Sequence, residues 1–241
     1  MSRAAIVLFL LASVASAQES GLINSDRPGL ADSSAVVGAR VWQIEAGLER
    51  DHDADGRSLS TPHLLRYGAT NALEFRVEGD GYVHSDGGSG FAPLSLGAKY
   101  HFSEAPSLGV IARVFVPSGT GSQRSHTTNG DLRLAADIDV TEKWSINPNI
   151  GVASQDDGDG RFTAGLAALT LQYSFSDRAN VFIDGAAQTP ERHGGGTSLI
   201  VDTGAAWIIG RDMQFDISAG WGARGSTAPN VFWSAGISRR F

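Results

Sequence analysis

The sequence predicts an all-β protein, a transmembrane antiparallel up-and-down β-barrel of about 12 strands. Three observations predict it: a period of two in the hydrophobic pattern from Val41 onward, connections that alternate between short and long, and aromatic residues grouped at the strand ends. Strict alternation gives each strand one apolar and one polar face. The 30 glycines among 241 residues also suit tight turns better than helices.

The first residues carry the pattern of a secretory signal. Arg3 precedes an apolar run at 4–12, and Ala15-Ser16-Ala17 follows it. A cationic start, a short apolar core and an A-x-A end are typical of a signal peptide, and the run is too short to span a bilayer as a helix. We expect 1–17 to be this signal, 18–40 to be a periplasmic N-terminal segment, and 41–241 to form the barrel. The alternative is a buried N-terminal helix.

Composition excludes several classes of function. The chain has no cysteine, which excludes disulfides and thiolate metal sites. Its net charge is −7 and it has no basic run, which argues against nucleic acid as a partner. No cofactor is expected. A closed barrel would supply stability without disulfides, because every strand edge is paired.

Alternation is clearest in five segments and weaker in seven others. The clear segments are 41–49, 73–81, 94–102, 131–140 and 213–222. The weaker ones are 61–67, 108–116, 144–154, 162–175, 180–188, 198–209 and 230–241. Apolar stretches of about nine to eleven residues are what a tilted strand needs to cross a bilayer. An even number of strands brings both termini to one side, as outer-membrane barrels require.

The connections between these segments alternate in length. Short ones lie at 68–72, 103–107, 141–143, 176–179 and 210–212, and long polar ones at 50–60, 82–92, 117–130, 155–161, 189–197 and 223–229. Short turns on one side and long loops on the other are the outer-membrane pattern, with the short side in the periplasm.

The positions of the aromatic residues indicate which face of the barrel points outward. A soluble lipocalin-like barrel would show the same period with its apolar face inside. Here one group of aromatics lies beside the short turns: Trp42, Tyr67, Tyr100, Phe102, Trp144, Tyr173, Phe175, Trp207 and Phe241. A second group lies at the opposite ends: Phe162, Trp221 and Trp233. Two such girdles are typical of a membrane barrel.

The charged residues of the strands are then expected to face the lumen, because a Lys or Arg facing lipid at mid-membrane costs about 2–4 kcal/mol. The predicted lumen lining and solute path is Glu45, Arg66, Glu74, Arg76, Glu78, Lys99, Arg113, Arg133, Asp137, Asp184, Asp202 and Asp216, with Arg240 beside it. Two interpretations stay open: a solute path lined by mixed charge, or a network of ion pairs that closes the barrel. Twelve strands are intermediate between filled and open barrels.

Two other patterns were tested for chemistry. The run DHDADG at 51–56 looks like the start of a calcium loop, but Pro62 stands where such a loop needs its twelfth-position Glu. No metal site is predicted. Four of the six histidines lie in predicted loops, and His63 and His101 lie at strand ends. No catalytic residue is predicted, and the protein is not expected to be an enzyme.

Several short motifs occur in a characteristic order along the chain. They are NSDRPG at 24–29, TPHLLRYG at 61–68, SLGAKY at 95–100, PSG at 117–119, NPNIG at 147–151, GWG at 220–222 and GIS at 236–238 before the final Arg240-Phe241. In this order they resemble the family of outer-membrane β-barrel proteins described as meta-pathway phenol-degradation transporters. The resemblance implies the barrel fold and uptake of aromatic catabolites, and it names no binding residues.

The sequence therefore predicts a porin-like channel or transporter for small solutes, aromatic ones among them, in the cell outer membrane of a Gram-negative bacterium. Its expected partners are outer-membrane lipid, lipopolysaccharide, a small solute and the barrel-assembly machinery. The last would recognise Phe241, because a terminal aromatic that closes an alternating strand resembles the assembly signal of outer-membrane barrels. The alternatives are a closed structural barrel without transport and, less favoured, an outer-membrane lipid-modifying enzyme.

Overall fold

The computed structural model describes residues 21–53 and 56–241. The signal predicted at 1–17 lies outside these residues. The strands are β1 (Trp42–Asp53), β2 (Gly56–Ser60), β3 (His63–Gly68), β4 (Leu73–Gly79), β5 (Tyr82–Ser85), β6 (Gly88–Phe91), β7 (Ser95–Glu104), β8 (Ser107–Phe115), β9 (Asn129–Asp139), β10 (Trp144–Asp156), β11 (Arg161–Ser176), β12 (Ala179–Thr189), β13 (Ser198–Ile209), β14 (Met213–Arg224) and β15 (Val231–Arg240). In these two ranges no helix is long and apolar enough to cross a membrane.

Twelve of the strands form a closed antiparallel barrel. They are β1, β3, β4 and β7 to β15, each paired with its neighbour in chain order. The last strand pairs with the first, from Gln43 opposite Arg240 to His52 opposite Val231, and this pairing closes the barrel. All twelve coincide with the segments in which the sequence alternates. The predicted up-and-down barrel of about twelve strands is therefore confirmed.

Three additional strands extend the sheet at the end with the long loops. β2 pairs with the end of β1, β5 pairs with β2, and β6 pairs with β5. The sequence predicted loops at 50–60 and 82–92 instead. These strands are only four or five residues long, too short to show the alternation that marked the others. Gly88 has a φ of +132° directly after the two-residue turn between β5 and β6, a conformation that glycine adopts without strain.

The outer surface of the barrel is apolar and its interior is polar. Phe75, Leu96 and Ile217 are each about half exposed on the outside, whereas Arg66 and Lys99 are buried inside. Aromatic pairs stand at the short-turn ends, with ring centroids 4.5 Å apart for Trp42 and Tyr67 and 4.9 Å for Trp144 and Tyr173. This arrangement is the reverse of a soluble barrel, in which the apolar face fills the core.

The described part of the N-terminal segment, residues 21–40, lies inside the barrel, and we call it the lumenal segment. Residues 18–40 were expected to be a periplasmic N-terminal segment, and the structure packs the described ones against inward-facing side chains of the barrel. The backbone N–H of Ile23 donates to the carbonyl of Arg211 at the short-turn end, and Ser34 is fully buried. There it packs against Gly109, where an added Cβ would lie 2.6 Å from the Ser34 carbonyl oxygen. A polar segment can enter because the inward side chains offer it charged partners.

Candidate functional site in the barrel lumen

All twelve residues that the sequence placed in the lumen point inward and are buried or half-buried. They divide into two groups by strand. The charged wall comprises Glu45, Arg66, Glu74, Arg76, Glu78, Lys99, Arg113, Arg133 and Asp137 on β1, β3, β4 and β7 to β9. The acidic wall comprises Asp184, Asp202 and Asp216 on β12 to β14. Arg240, at the short-turn end, pairs with Asp212 at 2.7 Å.

The first cluster of the charged wall is centred on Arg66. Its Nε and Nη2 donate to the two carboxylate oxygens of Glu74, at 2.8 and 2.9 Å. Its Nη1 donates to Glu45 at 3.0 Å. All three side chains are at most 1% exposed. Buried charges with this geometry satisfy each other, whereas loss of one partner would leave an uncompensated ion.

Asp26 of the lumenal segment is the shared partner of three cations. Its carboxylate lies 2.9 Å from Lys99 Nζ, 2.8 Å from Arg76 Nη1 and 3.7 Å from Arg66 Nη1. These cations come from three strands, β7, β4 and β3. The segment therefore supplies one carboxylate that these three cations share.

A second cluster surrounds Asp131 at the long-loop side. Arg113 donates through Nε and Nη2 to both oxygens of Asp131, at 3.0 and 2.7 Å, and through Nη1 to Glu78 at 2.9 Å. Arg133 lies 3.3 Å from Asp131 and 3.7 Å from Asp32 of the lumenal segment. Arg76 also contacts Asp32, at 3.0 Å. The two clusters are thereby joined through the segment.

The lumenal segment crosses from the charged wall to the other side through Arg27. Its Nη2 donates to Asp216 at 3.2 Å and to Ser234 at 2.9 Å. Gly47 and Gly236, which face each other across the β1–β15 pairing, leave the space that its guanidinium occupies. An added Cβ at either glycine would come within 2.5 Å of it. The glycines thus serve as a slot for this side chain.

The acidic wall is satisfied much less completely. Asp184 and Asp202 stand directly opposite each other across β12 and β13. One oxygen of Asp184 accepts the backbone N–H of Leu30 at 2.7 Å and the Thr170 hydroxyl at 3.2 Å. Its other oxygen and both oxygens of Asp202 have no hydrogen-bond partner among the described residues. Among the described residues, no cation lies within salt-bridge distance of Asp184 or Asp202.

Open space remains on both sides of the lumenal segment. Near the long loops are a cavity of about 470 Å³ beside Phe115 and a cavity of about 230 Å³ between β10, β11, β12 and β13. Near the short turns is a cavity of about 460 Å³. Along β11 and β12 the 230 and 460 Å³ cavities are separated by Thr170 and Asp184, against which Gly29 and Leu30 pack. This contact separates the two cavities along the acidic wall.

Sequence reasoning missed the residues that organise the site from within. Asp26, Arg27 and Asp32 bridge the walls, although 26 and 27 belong to the NSDRPG motif that carries part of the family resemblance. The motif indicated that these residues belong to the family pattern. It did not indicate where they lie, because nothing in the local sequence pattern shows that the segment enters the barrel. In the described ranges no three His, Asp or Glu side chains are placed to hold a metal ion. Two members of the calcium-like run, Ala54 and Asp55, fall outside those ranges.

Comparison with solved structures shows the same fold. An outer-membrane channel of Pseudomonas putida F1 superposes with a TM-score of 0.64 at 17% identity, over 89% of this chain and 99% of the other. The KdgM porin gives a TM-score of 0.56 at 12% identity, over 83% and 99%. The NanC porin gives 0.56 at 10% identity, over 82% and 98%.

Comparison with sequences identifies the family. No curated protein sequence was found to match the chain. A family model described as "Putative MetA-pathway of phenol degradation" matches residues 25–241, from the lumenal segment to the last strand. The chain therefore belongs to this family.

Proposed function

We propose that the protein is an outer-membrane channel that passes small solutes, aromatic ones among them, along the acidic wall of its lumen. The observation that carries this proposal is the pair of cavities of about 230 and 460 Å³, which are separated along β11 and β12 by the contact between the lumenal segment and Asp184. In a structural barrel without a solute path, the inward-facing charges would be expected to be paired on both walls. Here the cations and carboxylates of the charged wall pair with one another, whereas one oxygen of Asp184 and both oxygens of Asp202 have no hydrogen-bond partner among the described residues.

Placement in the outer membrane is supported by the outer surface. A band of half-exposed apolar side chains surrounds the barrel, with aromatic residues at the short-turn ends. Lipid, and lipopolysaccharide on the outer leaflet, would cover this band, because water would otherwise contact a large continuous apolar surface.

The role of Phe241 in assembly is part of the same proposal. Its ring is 73% exposed at the short-turn end, and its N–H donates to the Trp42 carbonyl at 2.8 Å across the barrel seam. An accessible aromatic at the end of the closing strand is available to the barrel-assembly machinery before the seam forms.

Transport is tested by conductance across planar lipid bilayers, with variants that change the contact at Asp184. Asp184→Ala removes the acceptor of the Leu30 N–H and should raise the single-channel conductance. Gly29→Val should lower it, because an added Cβ at Gly29 would lie 3.1 Å from Asp184 Oδ2. Gly87→Val, in the exposed turn between β5 and β6, is the matched control and should leave conductance unchanged.

The alternative of a closed structural barrel is favoured by the packed charged wall and is decided by the same experiment. A folded wild-type protein without conductance, unchanged by Asp184→Ala, would support that alternative and contradict the proposed channel. Equal conductance in the Gly29 and Gly87 variants would show that solutes do not pass the Asp184 contact.

A further inference from the structure

The cavity of about 230 Å³ near the long loops differs in chemistry from the cavities of about 470 and 460 Å³. Leu166, Ala168, Ala186 and Ile200 give it an apolar lining. Neither Asp nor Glu lines it, in contrast to the cavities of about 470 and 460 Å³, which have carboxylates in their walls. An anion would therefore meet less repulsion here than in either of those two cavities.

The single charged side chain of this cavity is Arg133. A guanidinium has five N–H donors. Here Nη2 makes one long hydrogen bond to Asp131, at 3.3 Å, and Nη1 stands 3.7 Å from Asp32, beyond hydrogen-bond distance. Its Nε has no partner among the described residues. Most of the donor capacity of Arg133 is unused.

The two carboxylates near Arg133 are each held more closely by another cation. Asp131 receives two hydrogen bonds from Arg113, at 3.0 and 2.7 Å. Asp32 receives one from Arg76, at 3.0 Å. The Arg133 side chain is also the most exposed of the paired cations on the charged wall, at 22% against at most 9% for the others. Arg133 is therefore the least compensated cation of that wall.

The remaining polar groups of the cavity favour the same kind of ligand. Both ends of the Asn149 amide are engaged by the backbone of Asp32, and Gln188 pairs with Gln155. The Ser198 hydroxyl is buried beside the cavity, forms no side-chain hydrogen bond to the described residues, and can donate. The free polar groups are thus donors, which match an acceptor.

We propose that this cavity binds a small monocarboxylate whose apolar body is about the size of one six-membered ring. The carboxylate faces Arg133, and the apolar body packs on Leu166, Ala168, Ala186 and Ile200. Pairing of a planar guanidinium with a carboxylate supplies both the charge and the two-point geometry. An oligomeric solute would exceed the volume. The inference deepens the proposed function, on which it rests, by naming the class of solute held on the route.

The test uses benzoate as the probe and benzyl alcohol as its uncharged analogue of similar shape. Each is titrated by calorimetry into the purified full-length barrel in detergent micelles, with empty micelles as the blank. Benzoate should bind saturably at one site per chain, and benzyl alcohol should bind about tenfold or more weakly, because it forms no charge-assisted hydrogen bonds.

Variants separate the guanidinium from the apolar wall. Arg133→Gln should lower benzoate affinity to that of benzyl alcohol and leave benzyl alcohol unchanged. Ala168→Phe should abolish binding of both, because its ring occupies the cavity. Arg224→Gln removes a cation at the exposed end of β14, outside this cavity, and should change neither. Heat-dependent migration on gels shows that each variant is folded.

Equal affinity of the wild-type protein for the two probes, or unchanged discrimination in Arg133→Gln, would overturn the inference. Conductance measured on the same samples keeps the two proposals apart. A protein that conducts but does not bind benzoate contradicts the carboxylate site and leaves the channel in place. A protein that binds benzoate but never conducts contradicts the channel and leaves the site in place.

Discussion

Two pairs of like charges stand directly opposite each other across neighbouring strands, one on each wall of the lumen. Arg66 faces Arg76 across β3 and β4, and Asp184 faces Asp202 across β12 and β13. Like charges in this position repel. The arginine pair is compensated by Asp26, which contacts both, whereas the aspartate pair receives only an N–H and a hydroxyl, both on Asp184.

The difference shows that an inward charge does not by itself make a barrel open or closed. On the charged wall, opposite charges also face each other in register, as Glu74 faces Lys99 and Arg113 faces Asp131. The lumenal segment supplies the counter-ions that the register lacks. On the acidic wall it supplies one cation, Arg27, which reaches Asp216 and not Asp202. The inward-facing charges are therefore paired most completely where the lumenal segment supplies counter-ions.

Removing the charge of Asp26 should have the largest effect. Asp26→Asn would leave Arg66, Arg76 and Lys99 short of one shared carboxylate in a buried site, and such losses cost on the order of 3–5 kcal/mol. The free energy of unfolding in detergent micelles, measured with urea, should fall by that amount. Glu142→Gln changes the same charge in an exposed turn and is the control. Equal stability of the two variants would show that the charged wall is not held by Asp26.

Replacing Asp202 should raise the free energy of unfolding or leave it unchanged, in contrast to the loss expected for Asp26→Asn. Asp202→Asn ends the repulsion with Asp184 and disrupts no hydrogen bond formed by the described residues, so stability at pH 7 should stay equal or rise by up to about 1 kcal/mol. The same urea titration measures it. A loss as large as that expected for Asp26→Asn would mean that the two walls are equally packed, and the comparison would fail.

The smallest effect is expected in the loops above the cavities. The backbone N–H of His193 donates to Asp157 at 2.7 Å and, together with the N–H of Asp159, holds the pKa of this carboxyl below its ordinary value of 3.8. A lowered pKa means that the contact stabilises the loops fully above pH 3.8 and is lost as the pH falls through the lower value. Asp157→Ala should therefore speed amide hydrogen exchange at His193 near pH 6. At low pH, below the pKa of Asp157 in the folded protein, the variant and wild type should converge; a difference that persists there would refute this role.

The sequence was sufficient for the barrel because alternation is a local signal that each strand carries by itself. Leu73, Phe75 and Val77 against Glu74 and Arg76 already predict which face points outward. The short strands β2, β5 and β6 were missed because both of their faces contact water. The position of Asp26 was missed for a different reason. It depends on contacts with β3, β4 and β7 that lie 40 to 73 residues away along the chain.

The division of the charged residues between the two walls could also not be predicted from the local sequence pattern. The sequence placed Asp184, Asp202 and Asp216 in the lumen together with the arginines, and the two interpretations of an open path and a closed network could not be separated. The strand order puts the cations on β3 to β9 and these acids on β12 to β14. The network of ion pairs therefore describes the charged wall, whereas the proposed solute path lies along the acidic wall.

The central claim, that the lumenal segment is packed on the charged wall, is tested most directly by a disulfide. The chain has no cysteine, so an engineered pair is unambiguous. The hydroxyls of Ser34 and Ser107 are 2.8 Å apart, and Ser34→Cys with Ser107→Cys should cross-link readily in the folded protein. Ser34→Cys with Ser218→Cys, on the acidic wall, should not. Efficient cross-linking of the first pair alone is the predicted result; cross-linking of both pairs to similar extents, or of the second alone, would contradict the account.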